Sequence, residues 1–418
     1  MWRCSLLRRH LATSAALSAG ATASSLGDRQ GQGPGATPRL GASCEVRLWG
    51  PGGTRGRSAA EIAKEAEAAS KPCWLPTTLA EEAGGLARQG PLYAKLAQPP
   101  FDEEWARLGA VLVERLTGPK GAADLPLSAI DPQVVRRIYH TYLPIYFWMR
   151  QQLVDIECTR LSRGDSEKRA VVFGISAPQG CGKTTMVELL KALFILDGMS
   201  CQALSIDDFY LPASGQQAVA ELHHSNSLVQ TRGNAGTHEV SLGERTLQAL
   251  SRSREGEVQL PRYNKSANRG RGDRAPSQSW DTAQMPCDVV LLEGWMLGFK
   301  ARADSAALAR IHTGLPLVNE KLQKYQAWDD FIDAWCVVGV EDIKQVYGWR
   351  LQAEHAMKES GKGPGMSDEE VRCFVDKYMP AYSAYRDTLY AAASGEGVDK
   401  KPSLLFHVGG DRNPVSNE

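Results

Sequence analysis

Residues 170–196 read AVVFGISAPQGCGKTTMVELLKALFIL, and this stretch decides the fold. It begins with a short apolar run rich in β-branched residues and passes through a glycine-rich turn. Apolar residues at helical spacing follow from 183 to 196, and Gly198 predicts the end of that helix. A buried strand, a glycine-rich turn and a helix in this order can bind phosphate, because backbone N–H groups at a helix N-terminus point at the anion.

The turn at 177–184 matches the P-loop pattern except at its first position, where Ala177 replaces glycine. A residue that ends a strand has β dihedral angles, which alanine adopts freely. Lys183 is predicted to bridge the β- and γ-phosphates of ATP, and the Thr184 hydroxyl to join a Mg²⁺ shell. The predicted nucleotide-binding residues are Gly180, Cys181, Gly182, Lys183, Thr184 and Thr185.

Four more apolar runs, at 201–206, 288–294, 334–340 and 403–409, predict strands that alternate with helices. Near-continuous apolarity suits strands buried on both faces of a parallel sheet. We therefore predict an α/β fold of the P-loop kinase type, with a doubly wound, mainly parallel sheet flanked by helices. Ligands of such sheets lie at the carboxyl ends of the strands.

Carboxylates follow two of these runs at the point where each predicted strand ends. Asp207 and Asp208 follow the second strand, and Glu293 closes the third. Asp207 is the predicted catalytic base and a Mg²⁺ ligand, with Asp208 as the second candidate, although both could instead cap the following turn. Glu293 is the predicted third Mg²⁺ ligand beside Thr184 and Asp207, and a solvated strand-end carboxylate is the alternative.

A basic, glycine-containing loop at 261–274 predicts contacts with an anionic acceptor, since arginine binds phosphate and carboxylate groups bidentately. A solvated surface loop is the alternative. Arg350 is predicted as a catalytic lid arginine or as an ordinary helical pair with Glu354. The predicted acceptor-binding residues are Asp208, Tyr210, His238, Arg262, Tyr263, Lys265, Arg271 and Arg274.

The charge balance and the cysteines exclude several other classes. The 48 basic and 48 acidic residues cancel, which argues against a nucleic-acid partner. No apolar run approaches the roughly 20 residues that cross a bilayer, so no membrane partner is expected. The nine cysteines include no CxxC pair, which favours reduced thiols over a metal site. A monomer is expected.

The N-terminus differs in composition from the rest of the chain. Residues 1–30 contain Arg3, Arg8 and Arg9 with many Ala and Ser and are predicted to be an organellar transit peptide. A flexible linker is predicted at 31–74, a helical N-terminal region at 75–165 and the P-loop kinase domain at 166–418. Pro144 predicts a kink or a break in the helical run from 132 to 154.

Several blocks taken together resemble the plant-type D-glycerate 3-kinase family of the phosphoribulokinase/uridine kinase group. They are SAPQGCGKTT (176–185), DDFYL (207–211), RGNAGTHE (232–239), PRYNKSA and GRGDR (261–274), LLEGWMLGF (291–299), AWDDFIDAW (327–335), WRLQAE (349–354), GMSDEEV (365–371) and RNPV (412–415). The resemblance implies ATP and Mg²⁺ as cofactors, Asp207 as base, Glu293 near the metal and Arg350 as lid arginine.

The same resemblance implies D-glycerate as acceptor, 3-phosphoglycerate as product and a role in photorespiration. A chloroplast location follows from that biology, and a mitochondrion is the alternative. A related kinase acting on a nucleoside, pantothenate or a sugar phosphate stays open, because fold and P-loop do not separate acceptors. A GTPase is disfavoured, since no [NT]KxD motif occurs. A scaffold that only binds nucleotide is disfavoured because Asp207 and Glu293 are present.

Overall fold

The computed structural model describes residues 77–118, 126–165, 167, 169–359, 366–396 and 401–415. The predicted transit peptide and linker lie outside the described residues. Within those residues, no helix combines the length and the apolarity that a membrane crossing requires.

The described strands lie in one large sheet and two small ones. They are β1 (Val171–Ser176), β2 (Cys201–Ser205), β3 (Glu257–Leu260), β4 (Tyr263–Asn264), β5 (Asp273–Arg274), β6 (Asp281–Gln284), β7 (Val289–Gly294), β8 (Ala334–Val340) and β9 (Ser403–Val408). The large sheet has the order β2-β7-β1-β8-β9, and all its strands are parallel. The five predicted strands form this sheet, which confirms the α/β fold class.

The described helices are α1 (Thr77–Gln89), α2 (Asp102–Thr117), α3 (Pro132–Arg137), α4 (Leu143–Ser162), α5 (Lys183–Leu196), α6 (Ala213–Leu222), α7 (Val240–Arg252), α8 (Ser305–Ile311), α9 (Leu315–Leu322), α10 (Gln326–Asp329), α11 (Gln345–Glu359), α12 (Asp368–Asp376) and α13 (Met379–Ala393). Helix α5 begins at the P-loop lysine. The sheet is covered by helices on both faces, as parallel sheets are.

Residues of β1 point alternately into two hydrophobic cores, because side chains along a strand alternate between faces. Phe173 packs in the core that contains Trp105 of α2 and Tyr146 of α4. Val172 packs in the other core, which contains Leu247 of α7 and Tyr385 of α13. The N-terminal helices therefore share a hydrophobic core with one face of the sheet.

A turn of π-helix, Ile138–Tyr142, lies between α3 and α4. Pro144 is the second residue of α4, so the irregular turn immediately precedes the proline. Proline has no N–H to donate to the preceding turn, and a widened turn absorbs that loss. The helical run thus continues past Pro144 by way of an irregular turn.

Two small antiparallel pairs, β3 with β6 and β4 with β5, lie outside the large sheet. The β4–β5 pair falls within the basic loop at 261–274, where the sequence shows neither helical nor strand periodicity. Two-residue strands are too short to give a periodic signal. This pair shapes the loop that faces the P-loop crevice.

Candidate active site

The glycine-rich loop after β1 has the backbone that a phosphate cradle needs. Gly180 and Gly182 have φ angles of +80° and +95°, which glycine adopts without strain. Ala177 does not have a positive φ angle. Its N–H donates to the Gly294 carbonyl oxygen at 3.1 Å, as in a continuing strand. Alanine therefore serves at the first position, where the chain continues the strand.

Three distant segments pack against the glycine-rich loop. A Cβ added at Gly180 would lie 2.7 Å from the Cβ of Trp349, so no other residue fits there without displacement. Arg412 Nε donates to the Gly180 carbonyl oxygen at 2.7 Å, and its guanidinium lies 5.5 Å from the Trp349 ring centroid. Tyr382 accepts the Gln179 N–H at 3.3 Å. The loop is held by α11, α13 and the segment after β9.

The other predicted nucleotide-binding residues lie at the start of α5. Lys183 is half-buried, and its Nζ donates to the Pro178 carbonyl oxygen at 3.3 Å. Thr184 and Thr185 are exposed in the first turn of the helix. Cys181 is a free thiol whose pKa is raised by burial, with Lys183 opposing that shift.

Asp207 and Glu293 are brought to the same crevice as Lys183. Strand β7 lies between β1 and β2, and Glu293 is opposite Ile175 on one side and Ser205 on the other. Glu293 is 8% exposed, and burial raises its pKa, while the nearby Lys183 ammonium lowers it. Lys183, Asp207 and Glu293 therefore interact electrostatically. They can do so because the carboxyl ends of neighbouring parallel strands lie at the same edge of the sheet.

The Asp207 carboxylate is held ionised by neighbouring cations. Burial alone would raise its pKa, but the Lys265 ammonium, 2.6 Å away, and then Lys183 hold the pKa well below its usual range. Asp207 thus remains an acceptor of hydrogen bonds at neutral pH.

Asp208 caps the turn that follows β2 and binds Arg262. Its Oδ2 accepts the Ser205 N–H at 3.1 Å and lies 3.2 Å from Arg262 Nη1. Arg262 is also bound through Nε to Asp281 at 2.8 Å. Burial raises the pKa of Asp208, and Arg262 opposes the shift. The turn-capping alternative therefore describes the geometry of Asp208.

Tyr210 and His238 stack beside Asp207, with ring centroids 4.3 Å apart. Tyr325 accepts the Gly236 N–H at 3.1 Å, and its hydroxyl lies 2.7 Å from His238 Nδ1. If this hydroxyl donates to Nδ1, the ring proton is on Nε2, which is buried without a hydrogen-bond partner among the described residues. Burial lowers the pKa of His238 to about 3, so the ring is neutral.

The basic loop at 261–274 contacts both Asp207 and Tyr210. Tyr263 meets Tyr210 edge to face at 5.2 Å, and Lys265 forms the ion pair with Asp207. Arg274 is bound to Glu239 at 2.7 Å and to the Tyr210 carbonyl oxygen at 2.8 Å. Arg271 is exposed. The site thus has an "Asp207 wall", defined as Asp207, Tyr210, His238, Tyr263 and Lys265.

Arg350 is bound to Glu354 within α11, which agrees with the helical-pair alternative. Its guanidinium also lies 5.1 Å from the Phe374 ring centroid, on the side of the helix that reaches α12.

A cavity of about 120 Å³ lies between the P-loop and the N-terminal helices. Gly182 and Thr185 line one side of it, and Val134, Arg137 and Thr141 line the other. Thr141 is 6% exposed, and its Oγ1 has no hydrogen-bond partner among the described residues. An unpartnered buried hydroxyl beside a phosphate cradle marks a place for a polar ligand group.

Sequence reasoning missed several residues that the structure places at the site. Arg412 was seen only as part of a motif block, and nothing in its pattern indicated a contact with Gly180. Lys377 and Tyr382 lie near the ends of amphipathic helices, where a polar or aromatic residue is ordinary. Their contacts arise from tertiary packing, which periodicity does not report.

The donor atoms at the site fit Mg²⁺. Among the described residues, no group of three or more His, Cys, Asp or Glu could hold a metal by itself. Mg²⁺ is commonly held by one or two carboxylates together with substrate phosphates and waters. Asp207 and Glu293, with the hydroxyl of Thr184, supply oxygen donors of this kind.

A parallel sheet with a P-loop after β1 and carboxylates after β2 and β7 defines a P-loop kinase. No family model matches the chain. It is 40% identical over 361 residues to the chloroplastic D-glycerate 3-kinase of Arabidopsis thaliana, which covers 83% of this chain and 76% of that protein. The chain belongs to the D-glycerate 3-kinase family.

The chain is also similar to two fungal kinases. A probable ATP-dependent kinase of Saccharomyces cerevisiae is 35% identical over 255 residues, which covers 58% of this chain and 86% of that protein. The solved structure of the D-glycerate 3-kinase of Cryptococcus neoformans is 30% identical, with a TM-score of 0.56, and the match covers 65% of this chain and 97% of that one. The family is therefore ATP-dependent.

Proposed function

We propose that this chain transfers the γ-phosphoryl group of ATP to a hydroxyl of D-glycerate and releases 3-phosphoglycerate and ADP. The observation that carries the proposal is the meeting of Lys183, Asp207 and Glu293 at one crevice beside the P-loop. The acceptor comes from the relatives, two of which are named D-glycerate 3-kinases.

We assign the triphosphate to the P-loop. The backbone N–H groups of the loop would bind the phosphates, and Lys183 would supply positive charge to the β- and γ-phosphates. Magnesium held by Thr184, Asp207 and Glu293 would neutralise charge on the phosphate oxygens. The nucleotide-binding set is Gly180, Cys181, Gly182, Lys183, Thr184 and Thr185.

In the reaction, a hydroxyl oxygen of the acceptor forms a bond to the γ-phosphorus. The bond from that phosphorus to the oxygen shared with the β-phosphate breaks, and ADP leaves with the electron pair. Asp207 accepts the hydroxyl proton, and Lys265 fixes the orientation of that carboxylate. The buried N–H of His238 and the Tyr210 ring bound the space for the acceptor.

Opposing charge is the main electrostatic requirement of this reaction. Glycerate is an anion, and at an effective dielectric of about 20 each like-charge pair near 4 Å costs roughly 4 kcal/mol. Lys183, Lys265 and Arg350 are proposed to supply the compensation. Arg262 and Arg274 are each held by two groups of the protein, Asp208 and Asp281 for Arg262 and Glu239 and the Tyr210 carbonyl oxygen for Arg274. We therefore assign them to shaping the loop, and Arg271 is exposed.

The cavity beside the P-loop is proposed to hold part of the nucleoside of ATP, which would give the N-terminal helices a role in nucleotide binding. The supporting observation is the unpartnered Thr141 hydroxyl. A Thr141→Val variant, which keeps the shape, is expected to raise the KM for ATP several-fold and leave the KM for the acceptor unchanged.

The test of the acceptor is a coupled ADP-release assay on the purified chain with D-glycerate, a nucleoside, pantothenate and a sugar phosphate. Turnover with D-glycerate far above the others is expected, with 3-phosphoglycerate identified as the product by mass spectrometry and NMR. Turnover with another acceptor and none with D-glycerate would reject the proposal.

We further propose a chloroplast location and a role in photorespiration, supported by the chloroplastic relative and by residues 1–26, which contain three arginines and no acidic residue. A fluorescent fusion of residues 1–76 tests this, and mitochondrial import is the competing outcome. The domain boundaries 1–30, 31–74, 75–165 and 166–418 are part of this proposal.

We also propose that the protein is a monomer, and light scattering on the purified protein tests this.

A further inference from the structure

Among the described residues, Lys377, which directly follows α12, resembles Lys183 and differs from most other cations around the crevice in having no carboxylate partner. Most of these are paired with carboxylates: Lys265 with Asp207, Arg262 with Asp208 and Asp281, Arg274 with Glu239, and Arg350 with Glu354. Within the described parts of the chain, Lys377 forms no ion pair. Its Nζ instead donates to two neutral oxygens, Thr231 Oγ1 and the Arg232 carbonyl, both at 2.9 Å.

Those two hydrogen bonds leave one N–H of the ammonium for another acceptor, because a lysine ammonium has three. The direction of that N–H is restricted by two aromatic rings. Nζ lies 4.6 Å from the Phe374 centroid and 4.8 Å from the Tyr378 centroid. Such a half-buried cation, flanked by rings and neutral oxygens, is stabilised by an anion.

The backbone around Lys377 is built to hold it in place. The fully buried Asn234 donates through Nδ2 to the Lys377 carbonyl oxygen at 3.0 Å, while the Lys377 ammonium binds the segment 231–232. A Cβ added at Gly233 would lie 2.7 Å from the Tyr378 ring. The side chain is therefore fixed on the loop that leads to His238, which is part of the Asp207 wall.

Electrostatic interactions also connect Lys377 to the Asp207 wall. Burial first, and then the nearby guanidinium groups of Arg232 and Arg350, lower the pKa of Lys377 to about 7, while the Asp207 carboxylate opposes them. Burial likewise raises the pKa of the neighbouring Tyr378, and Asp207 adds to that shift. Lys377 thus lies within the field of the carboxylate that faces the acceptor.

Arg232 does not compete for this role. Its guanidinium donates to the main-chain carbonyl oxygens of Gly270 at 2.9 Å and Lys265 at 3.4 Å, and it lies 5.5 Å from the Tyr263 ring centroid. It holds the basic loop closed, and its donors are directed at that loop.

We propose that Lys377 Nζ binds the carboxylate of the acceptor and thereby selects acidic over neutral hydroxyl compounds. This inference rests on the proposed function. The γ-phosphate is the other anion in the crevice, and the experiment separates the two.

The experiment uses the full chain with Lys377→Met, which removes the charge and keeps the length, and Lys377→Arg, which keeps the charge. Lys344→Met, at an exposed position that forms no ion pair among the described residues, is the matched control. For each protein, the KM values for D-glycerate and ATP are measured separately, together with kcat/KM for D-glycerate and for its uncharged amide, D-glyceramide.

For Lys377→Met, the KM for D-glycerate is expected to rise roughly 10- to 100-fold, as for a lost charge-assisted hydrogen bond. The KM of this variant for ATP is expected to change less than two-fold, and its preference for D-glycerate over D-glyceramide is expected to be lost. Lys377→Arg is expected to keep part of that preference.

A rise in the KM for ATP instead would assign the charge to the triphosphate and overturn the proposal. If Lys377→Met has an unchanged ratio of kcat/KM for D-glycerate to kcat/KM for D-glyceramide and only a lower melting temperature, the proposal is overturned as well. Lys377 would then have a structural role only. Wild-type protein that does not phosphorylate D-glycerate at all would reject the proposed function itself, which is a distinct result.

Discussion

The P-loop occupies nine consecutive residues, 177–185, whereas the Asp207 wall draws its five side chains from three separate segments at 207–210, 238 and 263–265. The P-loop works mainly through its backbone, with glycines at positive φ and a helix N-terminus. The Asp207 wall works through side chains that hold one another by an ion pair and ring contacts. Chemistry common to many kinases is thus encoded locally, and recognition of a particular acceptor depends on tertiary packing.

The largest expected effect comes from removing the charge of the P-loop. Lys183→Ala is expected to lower kcat/KM by roughly 10³-fold or more, since removal of a single donor that stabilises developing charge already costs 10²–10³. Folding is expected to be unaffected, because the recorded partner of Nζ is a neutral carbonyl oxygen. Steady-state kinetics and a thermal melt check this, with Lys344→Ala as control. Retained turnover would remove the P-loop lysine from the mechanism.

The next effect tests the wall. Asp207→Asn is expected to lower kcat by 10²–10⁴-fold, the usual contribution of a positioned general base, with a much smaller change in ATP affinity. The matched variant is Asp208→Asn, which is expected to affect stability more than kcat because Asp208 binds Ser205 and Arg262. A larger kcat loss in Asp208→Asn would exchange the roles of the two residues.

A smaller effect is expected where the two regions meet. Glu293→Gln keeps the volume of the side chain, and it is expected to weaken the apparent affinity for Mg²⁺ by roughly 10–100-fold. Titrating activity with MgCl₂ at saturating ATP and acceptor measures this. An unchanged Mg²⁺ dependence would show that Glu293 is not part of the metal shell.

The smallest effect concerns the backbone of the cradle. Gly180→Ala places a methyl group at a φ of +80°, which costs roughly 1–2 kcal/mol, and at 2.7 Å from Trp349 Cβ. Lower stability and weaker ATP binding are expected. Gly348→Ala, inside α11 with nothing within 4 Å of the added atom, is the control and is expected to be neutral or slightly stabilising. Equal melting temperatures for the two variants would contradict the assigned strain.

The same contrast explains what the sequence could predict. The apolar runs of β1, β7 and β8 and the P-loop are local patterns, so they predicted the sheet and the cradle. The pairing of β3 with β6 was missed because each strand has only four residues, too few for a periodic signal, and β6 (DTAQ) contains a single apolar residue. The sequence predicts that Lys265 lies in a basic loop. Its ion pair with Asp207 depends on the antiparallel pairing of β4 with β5, which the sequence does not indicate. The contact of Lys377 with the Arg232 carbonyl oxygen joins residues far apart in the sequence, so no local sequence pattern predicts it.

The support of Gly180 by Arg412 has a consequence for synthesis. Arg412 follows β9 and is translated after all other residues assigned to the site. During synthesis the nascent chain therefore presents the glycine-rich turn without its partner at the Gly180 carbonyl, and competence to hold a triphosphate is expected to arrive late, when the segment after β9 leaves the ribosome and folds back.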